Sequence, residues 1–308
     1  MDFRLTEDQR ALRDGVRALL TGRFGPEALR AAVARGGRGL DRALWRELGA
    51  AGFFSLRLPE ADGGAGLGLP EAVLAFEEAG RVLLPGPLVA THLAAGRVAG
   101  AADGETVVTA VHGGLVEWLD ESDTVWGDAG DPSGAVVAGA VPLTSVDPLT
   151  PLHRIPEGLP AGRFDGSTDA LAVLLTAAEQ LGNAARTCEA AVQHARTREQ
   201  FGQPIGAFQA VKHLCAGMLV RVELARAAVY AAAVTADPVD IAAARLLADD
   251  AAVRGARDCL QVHGGMGFTW ESDVHLYLKR AWVRARRGGP VTESEDVLAE
   301  DLIAGTGR

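Results

Sequence analysis

Apolar residues recur every three or four positions along most of this chain, the spacing expected when one face of an α-helix is buried. The N-terminal segment follows this pattern after Thr6 and Gln9, which have the spacing of a helix-capping box. A stretch at 59–68 interrupts it, because such a density of glycine sustains neither helix nor strand. The pattern therefore predicts an N-terminal helical region with helices at 6–20, 41–48 and 70–79.

The pattern changes between residues 105 and 164. Short segments rich in β-branched residues alternate there with Gly, Asp and Pro turns, which favours strands over helices. The predicted strands are 106–111, 115–119 and 134–141. They indicate a small β-domain of about sixty residues.

Helical spacing returns near residue 168 and continues to the C-terminus. Long helices joined by short loops are typical of an antiparallel bundle. The predicted helices are 168–198, 208–235, 239–262 and 271–287, with a further helix after a second capping box at Thr292 and Glu295. We therefore expect a mainly α protein with an N-terminal helical domain (1–103), a reduced middle β-domain (104–166) and a C-terminal four-helix bundle with a helical tail (167–308).

Composition narrows the possible functions. The 308 residues carry a formal net charge of −10, with a pI near 5.2 and a mean hydropathy of +0.11. That balance disfavours a nucleic-acid surface, which needs a basic stripe. A basic cluster at 279–287 is interpreted as a solvated helix face, or alternatively as a contact for phosphates or a partner. We expect a cytoplasmic protein without a membrane span or a metal site, since three scattered cysteines fit apolar helix positions and the histidines form no metal motif.

The segment 196–213 carries more chemistry than a helical hairpin needs. Gly202 and Pro204 suffice for the turn, yet Arg198, Phe201 and Gln209 surround it. A guanidinium presents a fork of donors suited to a pyrophosphate, and a ring and an amide add stacking and hydrogen bonding. The cluster indicates a nucleotide site, although a lone Arg at a helix end more often neutralises carbonyl groups.

A second segment, Gln261-Val-His-Gly264-Gly265-Met-Gly267-Phe268, connects two predicted helices. Glycines allow phosphate oxygens to approach the backbone, and free amides there bind anions. The segment is not a Rossmann fingerprint, because no strand precedes it.

Together these two segments, R-x-x-F-G-x-P…F-Q and Q-x-x-G-G-x-G-F, strongly resemble the flavin-dependent acyl-CoA dehydrogenase family. The resemblance implies FAD as cofactor. It implies that Arg198 contacts the FAD pyrophosphate of a neighbouring subunit, that Gln209 hydrogen-bonds the cofactor, and that Gln261, Gly264 and Gly265 hold its adenosine-diphosphate half. Phe201 belongs to the same corner. The P-E-x-x-G-G loop at 59–64 also resembles the N-terminal domain of that family.

The sequence departs from the family in two places. The middle domain lacks the F-x-x-T-E-P-x-x-G-S-D and W-I-T/S-N segments that hold the flavin ring. The catalytic Glu of family members would fall near Gly288 or near Ala172, and neither residue is an acid. Asp169, Glu179 and Glu293 lie nearby, but a solvated or capping role is expected for each. The catalytic residue is therefore unknown.

The missing flavin-ring segments and the missing catalytic Glu are consistent with each other, because a subunit that binds no flavin ring needs no base. The family includes heteromeric members in actinobacterial sterol side-chain breakdown. We therefore expect this chain to be a subunit of an acyl-CoA dehydrogenase, an oxidoreductase that introduces an α,β double bond into a CoA thioester. It would contribute adenosine-diphosphate contacts to a paralogous partner in an α2β2 assembly. The alternatives are a self-sufficient homomeric enzyme with a displaced base, and a non-catalytic scaffold of the same fold.

Overall fold

The structure is a computed structural model that describes residues 4–36, 38–112, 114–126, 138–156, 166–287 and 291–305. Helices dominate it, and along the chain a small sheet lies between an N-terminal helical group and a C-terminal one. The described helices are α1 (Glu7–Arg23), α2 (Pro26–Ala34), α3 (Arg42–Ala50), α4 (Leu69–Arg81), α5 (Leu88–Ala94), α6 (Gly166–Thr197), α7 (Gln209–Thr235), α8 (Pro238–His263), α9 (Val274–Arg287) and α10 (Val291–Gly305). This confirms the predicted mainly α class.

Local sequence explains where the first helices begin. The Thr6 hydroxyl accepts from the Gln9 amide nitrogen at 3.2 Å, and the Gln9 side chain accepts from the Thr6 amide at 3.0 Å, so the predicted capping box is confirmed. The Asp41 carboxylate caps α3 by accepting from two backbone amides at 3.0 Å. Both caps satisfy donors that a helix start would otherwise leave unpaired.

The sheet has five strands in the order β3-β1-β2-β5-β4. The strands are β1 (Val108–His112), β2 (Leu115–Glu117), β3 (Thr124–Trp126), β4 (Val141–Leu143) and β5 (Leu152–Arg154). Only the β1–β3 pairing is parallel among the described strands.

The predicted strand at 134–141 is wrong over residues 138–140. Residues 134–137 lie outside the described residues, residues 138–139 are helical, and β4 begins only at Val141. The reason is pairing: Val141–Leu143 lies opposite Leu152–Arg154 of β5, whereas the preceding Ala and Gly residues have no partner strand among the described residues and no bulky side chain to pack.

The predicted four-helix bundle is confirmed as α6 to α9, with α10 as its tail. Helix α10 begins at Val291, so Thr292 lies inside it and the prediction of Thr292 as its N-cap is wrong. The N-terminal helices attach to the bundle where α4 crosses α6 closely. A Cβ added at Gly182 would meet the Glu77 carbonyl oxygen at 1.9 Å, and one at Gly80 would meet that of Glu179 at 2.0 Å. Glycine is needed at both positions.

Candidate cofactor-binding site

The segment between α6 and α7 folds into a tight hairpin. Two short strands, β6 (Glu199–Gln200) and β7 (Gln203–Pro204), pair across Phe201 and Gly202. Those two residues have φ values of +54° and +76°, as a type I′ hairpin turn requires. This turn leaves the Phe201 side chain 91% exposed, with its ring centroid 6.0 Å from that of Phe208.

Arg198 is the first residue beyond α6, and the backbone fixes its position on both sides. Its amide donates to the His194 carbonyl at 2.8 Å, and its own carbonyl accepts from the Ile205 amide at 2.8 Å. The side chain is exposed, and no described carboxylate lies within ion-pair distance of it. Gln209, the first residue of α7, is also exposed. The anchored backbone thus presents a free guanidinium to the surface.

The glycine loop begins at the C-terminal end of α8. Gly264 has φ +62° and ψ −144°, a conformation that glycine adopts without strain. No heavy atom lies within 4 Å of a Cβ added at Gly264 or Gly265, so both backbones face open space. Gln261 is exposed one turn earlier on the helix. This surface allows an anion to approach the backbone closely.

A pair of stacked histidines brings the two segments together. The His194 and His263 rings lie 4.1 Å apart at an interplanar angle of 21°. His263 Nδ1 lies 2.8 Å from the Cys259 carbonyl oxygen, which anchors the ring to its own helix. Burial lowers the pKa of His194, and electrostatic repulsion from the neighbouring His263 and Arg198 lowers it further. Nothing in the sequence spacing connects residues 194 and 263, so this contact was missed from sequence.

The second region of interest is the cleft between the sheet and the bundle. Arg284 Nη1 donates to both oxygens of Glu117 at 2.8 and 2.7 Å, and Arg284 Nε lies 2.9 Å from Glu179 Oε2. Arg287 Nη1 lies 3.6 Å from Glu117. We call these four residues the buried ion cluster, because each side chain is less than 10% exposed.

Charge explains how the buried ion cluster stays ionised. Burial opposes ionisation of Glu117, but Arg284 and Arg287 outweigh it and lower the pKa of that carboxyl to about 2. Burial lowers the pKa of Arg287, although Glu117 opposes that effect. The cluster joins β2 to α6 and α9 through charges that compensate one another, and a cavity of about 860 Å³ lies beside Glu117 and Arg287.

The interpretation of residues 279–287 as a solvated face is therefore wrong for three of its arginines. Arg280, Arg284 and Arg287 are buried, while Arg286 is exposed. Arg280 Nε donates to the buried Asp147, and its Nη1 donates to the Leu84 carbonyl at 3.2 Å. The three buried arginines lie on one helix face, which acidic side chains from other elements cover.

The positions considered for a catalytic base differ in their surroundings. Ala172 is 4% exposed in the apolar core, and residue 288 lies outside the described residues. Glu179 belongs to the buried ion cluster, Asp169 is partly exposed near the start of α6, and Glu293 is exposed on α10. The catalytic residue stays unknown.

The described ranges bear on metal and membrane chemistry. No group of three or more His, Cys, Asp or Glu side chains there could hold a metal ion. Within the same residues, no helix is both long enough and apolar enough to cross a membrane.

Comparison with known proteins places these features in a family. Residues 6–104 match the acyl-CoA dehydrogenase N-terminal domain, and residues 172–299 match the acyl-CoA dehydrogenase C-terminal domain. The chain is 39% identical to the acyl-CoA dehydrogenase IpdE2 of Mycobacterium tuberculosis, over 89% of this chain and 91% of that protein.

Solved structures share the fold over nearly the whole chain. The ChsE4–ChsE5 complex from Mycobacterium tuberculosis matches with a TM-score of 0.82 and 27% identity, covering 98% of this chain and 99% of that one. The Tcur3481–Tcur3483 steroid acyl-CoA dehydrogenase G363A variant matches with a TM-score of 0.81 and 24% identity over 98% and 99%. By its two domain matches and its close relatives, this chain belongs to the acyl-CoA dehydrogenase family.

Proposed function

We propose that this chain is a subunit of a cytoplasmic, FAD-dependent acyl-CoA dehydrogenase that provides the adenosine-diphosphate contacts for a paralogous partner. The partner supplies the flavin pocket and the catalytic Glu, in an α2β2 assembly. Bound FAD would accept the hydride from Cβ of the CoA thioester. The ChsE4–ChsE5 complex and the steroid dehydrogenase of the same fold support a heteromeric enzyme with a steroid-derived acyl chain.

The observation that carries this proposal is a contrast between the exposed corner near Arg198 and the cleft between the sheet and the bundle. The corner formed by 198–209 and 261–265 exposes a guanidinium without a described acidic partner and two open glycine backbones. These groups fit a pyrophosphate. In the family, the flavin ring lies against the middle β-domain. Here Glu117 of that domain is engaged by Arg284 of the bundle in the buried ion cluster, and the cavity beside it is lined by the charged side chains of Arg286 and Arg287.

A surface for the partner supports the same proposal. Helix α7 exposes a stripe of apolar side chains: Leu219 (54% exposed), Val220 (58%), Leu224 (54%) and Val234 (60%). Exposed apolar patches of this kind mark protein–protein contacts. The stripe lies on the helix that begins at Gln209, so one helix carries both a proposed cofactor contact and the surface proposed for the partner.

The test is flavin retention by the co-expressed complex. The partner is a paralogous dehydrogenase chain that carries the missing flavin and Glu segments. Arg198→Gln removes the charged hydrogen bonds to the pyrophosphate, and each such bond contributes about 1.5–3 kcal/mol. We expect FAD affinity to fall at least about tenfold, whereas Arg196→Gln, which changes an exposed arginine in the last turn of α6, leaves it unchanged.

Two results would contradict the proposal. One is a complex whose flavin content is unaffected by Arg198→Gln, which would favour a non-catalytic scaffold. The other is a homogeneous preparation of this chain alone that binds FAD and oxidises a CoA ester, which would favour a self-sufficient enzyme.

A further inference from the structure

The stacked histidines connect the two halves of the proposed cofactor corner. The ring centroids of His194 and His263 lie 4.1 Å apart, which places α6 beside the end of α8. The His194 carbonyl accepts from the Arg198 amide at 2.8 Å, and Gly264 follows directly after His263. One pair of rings therefore joins the segment that carries the guanidinium to the segment that carries the open glycines.

The free ring nitrogens of this pair reach the surface. His263 Nδ1 lies 2.8 Å from the Cys259 carbonyl oxygen, which can only accept, so this nitrogen carries the hydrogen and Nε2 does not. Neither ring nitrogen of His194 has a hydrogen-bond partner among the described residues, and neither is fully buried. His194 can therefore take a proton from solvent without breaking a hydrogen bond.

The groups that act on the His194 ring carry positive charge or none. Burial has the largest effect in lowering the pKa of His194, and His263 of α8 and Arg198 beyond the end of α6 lower it further. Within the described part of the chain, no acidic side chain offsets these effects and no charged group of α7 adds to them. The ligand-free corner consequently disfavours a proton on His194, and an anion would supply the missing counter-charge.

We propose that His194 takes up a proton when the diphosphate of FAD binds at Arg198, so that cofactor binding and protonation are coupled at this corner. The inference rests on the proposed function, since it needs the pyrophosphate at Arg198. A diphosphate there offsets the Arg198 charge and brings negative charge toward the ring, and both changes raise the pKa of His194. The pair accepts a single proton, because a second charge on a ring 4.1 Å away would be repelled.

The coupling determines the direction of the pH dependence. Between the lowered pKa of free His194 and its higher pKa with FAD bound, the complex holds more protons than the free protein, so FAD affinity rises as the pH falls through that window. Well above about pH 6.5 the ring is neutral in both states, and the affinity no longer depends on it. We expect FAD to bind about threefold more tightly at about pH 5.5 than at about pH 7.5.

The experiment is calorimetric titration of FAD into the flavin-free complex of this chain with its partner, at several pH values and in two buffers of different ionisation enthalpy. Between about pH 5.5 and pH 6.5, the difference in heat between the buffers should correspond to uptake of up to one proton per site. His194→Phe keeps a stacked ring and His194→Gln keeps a polar side chain. Because neither can take up the proton, both should abolish the uptake and the tighter binding at low pH. His213→Phe, which changes an exposed histidine on α7, should preserve both.

Four results would overturn the proposal: no proton uptake, proton release, an unchanged pH slope in both His194 variants, or loss of the slope in His213→Phe. Arg198→Gln distinguishes such a result from failure of the proposed function. If Arg198→Gln weakens FAD binding but the parent complex takes up no proton, only the inference about His194 is wrong. If Arg198→Gln leaves FAD binding unchanged, the corner holds no pyrophosphate and both are wrong.

Discussion

Two arginines in this protein show how differently one side chain can be used. Arg284 is 1% exposed and has Glu117 and Glu179 beside it, while Arg198 is exposed and has no described acidic partner. A buried guanidinium must be compensated within its own chain, because burying an unpaired charge is very costly. An exposed and positioned guanidinium stays available to an anion from elsewhere. The cleft therefore serves the fold, and the corner is suited to a ligand.

The same contrast holds for glycine. Gly182 is required by the backbone of α4, whose Glu77 carbonyl would lie 1.9 Å from an added Cβ. Gly265 faces open space within this chain. A glycine that packing does not require fits a position where a ligand approaches the backbone.

The largest expected effect follows from breaking the buried ion cluster. Arg284→Met leaves two buried carboxylates without their guanidinium, so we expect the free energy of unfolding to fall by about 3–5 kcal/mol. Urea unfolding measures it. The control is Arg254→Met, whose side chain is 66% exposed beside Asp250, where we expect a change within about 0.5 kcal/mol. A loss below about 1 kcal/mol for Arg284→Met would show that the cluster is not the constraint we infer.

The next effect compares the two glycines. Gly182→Ala forces a methyl group into the α4 backbone and should cost about 1–3 kcal/mol of unfolding free energy. Gly265→Ala should leave that free energy within about 0.5 kcal/mol, yet lower flavin retention by the complex, because the added methyl group lies on the surface proposed for the phosphates. Urea unfolding and flavin absorbance check the pair. Equal flavin retention in Gly265→Ala and the parent would contradict the assignment of the glycine loop.

The smallest effect is a pH dependence in the cleft. Burial lowers the pKa of His112 to about 3, Arg287 and Arg284 add to the lowering, and Glu117 opposes it. The native state therefore resists protonation, whereas the unfolded chain takes up a proton near pH 6.5. Stability from neutral His112 is present above that pH and decreases as the pH falls toward 3.

A substitution isolates this histidine. His112→Gln should flatten the decline of unfolding free energy between about pH 6.5 and pH 5.5, a window above the range where protonation of Glu117 contributes. Urea unfolding of both proteins at several pH values measures the slope. Parallel slopes would exclude His112 as a source of acid sensitivity.

Much of the fold could be predicted from the sequence because local signals determine it. Helical spacing located the bundle, and Thr6 and Gln9 fixed the first helix start through contacts three residues apart. The buried ion cluster could not be found this way. Glu117 and Arg284 are 167 residues apart, and a basic helix face looks the same in sequence whether solvent or acids cover it.

The candidate site likewise combines features that local sequence motifs predict with contacts that depend on tertiary packing. Arg198 and the glycine loop were found because each lies in a compact motif of adjacent residues. The stacking of His194 on His263 depends on how α6 and α8 pack, and no local pattern encodes it.

The most direct test is an experimental structure of the complex between this chain and its partner with FAD bound. We predict that the isoalloxazine ring lies in the partner's cleft, that the pyrophosphate lies within about 3 Å of the Arg198 guanidinium, and that Arg284 remains paired with Glu117. A flavin ring seated against β2 of this chain, with Arg284 displaced from Glu117, would contradict the account.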